Sequence, residues 1–144
     1  MKKIKNYIFL LFMMIFLSSC PIMESNDNLF GMRINNLTSQ TLSFNVNFDI
    51  SNYTEDINKD SVKVGSVSWI YGFGFEELNK SPFDIIVSDF TNKHIIVTSL
   101  SGDTLANWND SSAVFNQQYW LIEHQENGDV HCTLQLTDEV LQLK

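Results

Sequence analysis

The chain has 144 residues, 44% of them hydrophobic, and carries 17 acidic side chains against nine basic ones for a formal charge of −8. Its length points to one domain, large enough to fold without disulfides. The acidic balance repels phosphate and anionic headgroups, which excludes nucleic-acid binding.

Lys2, Lys3 and Lys5 precede an apolar run over residues 8–17 that ends in Ser18 and Ser19. That run is shorter than the roughly 20 residues a transmembrane helix needs. It has the form of a secretory signal. Leu17-Ser18-Ser19-Cys20 then resembles the lipobox of bacterial lipoproteins. The resemblance implies a lipoprotein signal peptide over residues 1–19, cleaved before Cys20, with a diacylglyceryl group on the Cys20 sulfur and an acyl chain on the new amino terminus. Each buried methylene contributes about 0.8 kcal/mol, so such a group anchors a soluble domain firmly to a membrane. Residue 21 is Pro, not the Asp that in enteric lipoproteins resembles an inner-membrane retention signal. For a Gram-negative host this points to the outer membrane and leaves the leaflet open. Residues 20–28 read as a lipidated polar tether and residues 29–144 as the folded domain. The leader takes away three basic residues and no acidic one, so the mature charge is −11.

Residues 32–35 predict a short first strand, and residues 36–40 (NLTSQ) carry turn chemistry. Residues 41–50 (TLSFNVNFDI) alternate without error, with Leu42, Phe44, Val46, Phe48 and Ile50 facing inward. Residues 51–60 read as a polar loop. A third strand begins at Val62, and its apolar parity shifts at Gly65-Ser66, where a bulge or break is expected. It continues through Trp69, Tyr71, Phe73 and Phe75, whose period of two puts four rings on one face. Pro82 is expected to open a strand over residues 83–90, followed by another over 94–100, both covered on two faces. Asp103 to Ala106 predict a helical turn ended by the polar NWNDSS. Residues 119–125 and 130–136 predict a terminal hairpin around Asn127-Gly128, and residues 137–143 a closing helical turn. Seven or so strands without a long helix predict an all-β, single-domain β-sandwich of the immunoglobulin-like kind.

The segments Arg33–Leu42, Leu100–Leu105, Tyr119–Ile122 and Leu136–Leu141 resemble those of small lipoproteins of Gram-negative gut commensals. That resemblance implies a β-sandwich in the cell envelope and carries no activity or functional residues. In such bacteria Asp-Ser/Thr followed by a small or apolar residue also resembles a protein O-glycosylation motif. Asp60-Ser61-Val62 and Asp103-Thr104-Leu105 match it.

Three features are candidates for function. The first is the aromatic row Trp69, Tyr71, Phe73 and Phe75, which is either a stacking platform for a glycan or part of the core. The second is the terminal hairpin. A register pairing Gln125 with Val130 sets Glu123 against Cys132 and Leu121 against Leu134, and it places His124 opposite His131, close enough to share a metal with a carboxylate. The third is Cys132, on an apolar strand face, where a buried inert thiol is expected. Nucleophile elbows, phosphate loops and His-Glu-x-x-His do not occur in the sequence. The sequence therefore predicts a non-catalytic envelope lipoprotein with no cofactor beyond the lipid on Cys20, and a protein or glycan as its partner. A metal-dependent or hydrolytic accessory enzyme using His124 and His131 is the alternative.

Overall fold

The computed structural model describes residues 27–142; the leader, Cys20, the tether as far as residue 26, and the last two residues lie outside the described residues. Eight strands run as β1 (Asn28–Asn36), β2 (Leu42–Ile50), β3 (Tyr53–Val62), β4 (Val67–Phe75), β5 (Phe90–Ser99), β6 (Thr104–Asn109), β7 (Trp120–His124) and β8 (Val130–Leu136). One short helix, α1 (Pro82–Ser88), lies between β4 and β5, and 3-10 turns occupy Ala113–Phe115, Gln117–Tyr119 and Val140–Gln142. The strands form two four-stranded sheets, ordered β4-β1-β8-β7 and β3-β2-β5-β6. All neighbours are antiparallel except β1 with β8. The protein is thus an all-β sandwich. Antibody domains keep the first, second, fourth and fifth strands in one sheet; here β1 sits with β4, β8 and β7.

The sandwich interior is lined by Phe30, Met32 and Ile34 from β1, Leu42, Phe44, Val46 and Phe48 from β2, and Cys132, Leu134 and Leu136 from β8. β2 follows its expected alternation, because a central strand of a two-layer sandwich has one dry face. Residues 51–60, expected as a loop, instead form most of the edge strand β3. Its inward positions Glu55, Ile57 and Lys59 oppose Phe48, Val46 and Phe44. Inward charges on an edge strand discourage further pairing, and they erase the alternation that marks a strand.

The expected strand over 83–90 is helical up to Ser88. Ser81 caps it by accepting from the Asp84 N–H at 3.2 Å, Pro82 occupies the first turn, and Phe83 and Ile86 share the buried face three residues apart. The expected helical turn at 103–106 is replaced by β6, which buries Ala106 and Trp108 against the same interior. The parity shift at Gly65-Ser66 is a tight turn, with Gly65 at φ 71° and the Ser66 N–H donating to the Lys63 carbonyl.

One buried polar side chain joins these pieces. Asn36, fully buried at the end of β1, donates through Nδ2 to the carbonyls of Gln40 and Val62, each at 2.9 Å. Its Oδ1 accepts from the Thr38 N–H at 3.1 Å and the Thr38 hydroxyl at 2.7 Å. Its backbone exchanges bonds with Ser66 and Gly65. Replacing Asn36 by Ala strands two carbonyls and is expected to cost about 2–4 kcal/mol. Asn36→Asp, which aims an acceptor at those carbonyls, should cost more; urea unfolding of the two variants measures both.

Candidate functional site

The aromatic row does not stay on one face. β1 and β4 pair in register from Asn28 with Phe75 to Met32 with Tyr71, and then slip, so that Arg33 faces Trp69. Ile70 is the extra residue of this bulge and is itself buried. Tyr71, Phe73 and Phe75 therefore point into the sandwich, partly buried. Phe73 stacks on Phe30 at 5.0 Å, and Tyr71 meets Phe48 and Phe90 edge-on at 5.3 and 5.6 Å. Trp69 is turned out onto the opposite, solvent face and is 44% exposed.

On that face the sheet offers a floor without side chains. Gly31 on β1 lies opposite Gly72 on β4, and a Cβ at residue 31 would collide with the six-membered ring of Trp69. The indole is therefore seated on bare backbone at Gly31. Around it stand His131, edge-on at 5.4 Å, and the Arg33 guanidinium, 5.9 Å from the ring centroid. Arg33 also donates through Nη2 to Glu123 at 2.5 Å and through Nε to the Thr133 hydroxyl at 3.1 Å. Leu121 and Val67 add exposed apolar surface to the same face. The arrangement supplies one aromatic plate, an ion pair with free lone pairs, and side-chain hydroxyl and amide groups.

The terminal hairpin is one residue out of the expected register. Glu123 faces His131, His124 faces Val130, and Leu121 faces Thr133. The reason is the turn: Gln125 pairs with Asp129 around a three-residue loop closed by Gly128 at φ 92°. Trp120 and Ile122, not Leu121 and Glu123, thereby face the core. His124 and His131 consequently lie on opposite faces of the hairpin and cannot share a metal. Among the described residues no group of three His, Cys, Asp or Glu side chains is placed to hold one.

His131 Nδ1 is buried and finds no hydrogen-bond partner among the described residues. Burial first, and the Arg33 charge second, hold this imidazole below its usual pKa, against the opposing pull of Asp129 and Glu123. The Asp129 carboxyl is lowered chiefly by the Leu29 N–H, which donates to it at 2.7 Å and ties β1 to the hairpin. Cys132 is fully buried, and burial pushes its thiol up to about 12, so it is no nucleophile at neutral pH.

A second polar centre was not visible in the sequence. Asn92, at φ 51°, bulges β5 and turns Lys93 inward. Its ammonium donates to the carbonyls of Phe90 and Val87 at 2.6 and 3.3 Å, pairs with Asp110 at 2.7 Å, and lies 5.4 Å from the Phe115 ring. Burial would raise the Asp110 carboxyl, but hydrogen bonds and charge from Lys93 outweigh it and hold the group below the usual range. All three ammonium protons are engaged, so Lys93 fastens the end of α1 to the β6 edge. Ser61 and Thr104, in the two modification motifs, are exposed.

The chain matches no protein-family model, and neither a curated protein nor a solved structure matches it. Among the described residues no helix is long and apolar enough to cross a membrane.

Gly31→Ala is expected to lift the Trp69 ring from its seat, costing about 1–3 kcal/mol and shifting tryptophan emission to the red. Because His131 binds its proton less readily folded than unfolded, its contribution to stability is complete above about pH 6.5 and declines as the pH falls toward its lowered folded-state value. Urea unfolding across that interval should show a shallower pH slope for His131→Gln. The lowered Asp110 and Asp129 act in the same direction below about pH 4.

Proposed function

We propose that this chain is a lipid-anchored protein of the cell envelope, held at the outer membrane through Cys20, whose β-sandwich is a non-catalytic binding module. Its recognition surface is the outer face of β4-β1-β8-β7, and a glycan is the partner that the surface chemistry favours. The observation that carries this reading is the Trp69 indole laid over Gly31 beside the Arg33–Glu123 pair. A pyranose presents a flat C–H face that stacks on such a ring, while its hydroxyls both donate and accept. Glu123 accepts from hydroxyls, and Arg33, Asn35 and Gln135 donate to them.

The surface is preformed. Arg33 is fixed by two partners, and the indole is confined between Gly31, His131 and Arg33, so little side-chain entropy remains to be lost on binding. A hydrolytic role through the terminal hairpin has no support, because the β7–β8 register separates the two histidines.

Trp69→Ala should change the unfolding free energy by no more than about 1.5 kcal/mol while removing glycan binding on an array of envelope and host polysaccharides. Tyr71→Ala, which empties a core position, should cost about 3 kcal/mol or more. An unchanged array profile for Trp69→Ala would refute the recognition surface. For the anchor, radiolabelled palmitate should enter the wild-type chain, and label persisting in Cys20→Ala would refute it.

A further inference from the structure

The seam between the two edge strands β3 and β4 opens into a cleft of about 460 Å³, separate from the Trp69 face. Ile50, Ser51 and Tyr53 line it from the β2–β3 hairpin, Tyr71 and Phe73 from β4, and Ile85 and Asp89 from the region of α1. Three of these are aromatic. Tyr71 and Phe73 are inclined at 47° with centroids 6.3 Å apart, and Tyr53, 73% exposed, stands at the mouth. Tyr53 pairs with Ile50 and Glu55 with Phe48, so the two share one side of β3, with Glu55 partly buried and Tyr53 exposed.

Asp89 is the charged residue that lines the cleft, and Glu55 lies two residues from Tyr53 along β3. Lys80 and Ser88 donate to the same oxygen of Asp89, Oδ1, leaving Oδ2 without a partner among the described residues. Asp89 is ion-paired with Lys80, whereas Glu55 has no cationic partner among the described residues. The Tyr71 hydroxyl is raised first by burial and then by the Glu55 charge.

We infer that this cleft is an aromatic cage for a quaternary ammonium group of choline size. Aromatic rings present their negative faces to a cation, the Glu55 carboxylate complements its charge, and the rings match its methyl surface; a sugar or an anion would leave Glu55 unanswered. The volume lies within the range of small-molecule sites.

Choline chloride titrated into the full chain carrying Cys20→Ala, followed by calorimetry, tests the assignment against 3,3-dimethyl-1-butanol, its uncharged isostere. Choline should bind about tenfold tighter than the isostere. Tyr53→Ala, at an exposed position, should weaken choline by about fivefold or more, while Tyr53→Phe retains it. Glu55→Gln should weaken choline and leave the isostere unchanged. Sedimentation with phosphatidylcholine but not phosphatidylglycerol vesicles would assign the cation to a lipid headgroup. Binding of free choline without sedimentation would assign it to a solute. Equal affinity for choline and the isostere, no binding of either, or indifference to Tyr53→Ala would overturn the cage.

Discussion

The Asn36 side chain is the constraint on which the packing of the two layers rests. β1 belongs to one sheet and Val62, whose carbonyl Asn36 holds, to the other. The same amide closes the turn before β2 and, through its backbone, the turn before β4. A buried amide with all its donors and acceptors used specifies one arrangement of four chain segments, where an apolar side chain would accept several. Hydrophobic burial supplies most of the driving force, but it is indifferent to register. The Asn36 bonds are not.

Two bulges then decide which chemistry the protein shows. At Ile70 a single extra residue divides an aromatic row into a core portion and one exposed indole. At Asn92 another turns a lysine out of solvent and into the join between α1 and the sheet. The Trp69 face and the cleft between β3 and β4 both descend from the first. Without it Trp69 would compete with Tyr71 and Phe73 for the interior, and Gly31 would have no ring to seat.

The sequence was most legible where one face of a strand is dry and the other wet. β2 and β8 declared themselves by alternation, and the β-sandwich followed from the spacing of turns. Legibility failed where that contrast is missing. β3 is polar toward both sides, because it is an edge. β6 hides its inward Ala106 and Trp108 among amides. α1 was masked by its Ile-Ile-Val run, although Ser81-Pro82 with Asp84 is a helix start in its own right. The hairpin register failed on one backbone detail, the left-handed Gly128, which closes a loop one residue shorter than expected and moves every β7 side chain to the other face. Of the four aromatic candidates, Trp69 alone is exposed, and the other three turn toward the core. Gly31 and Arg33 on β1, Trp69 on β4 and Glu123 on β7 meet only in the folded sheet.

The inward-facing Glu55 and Lys59 of β3 also bear on how copies of this protein behave beside one another. A strand whose free edge and both faces carry charge is a poor template for another chain, because a neighbour pairing with it would have to bury those charges. Molecules gathered at high local density in two dimensions meet edge to edge far more often than in solution. On that side of the sandwich such collisions stay unproductive, and copies that meet there do not zip into an extended sheet.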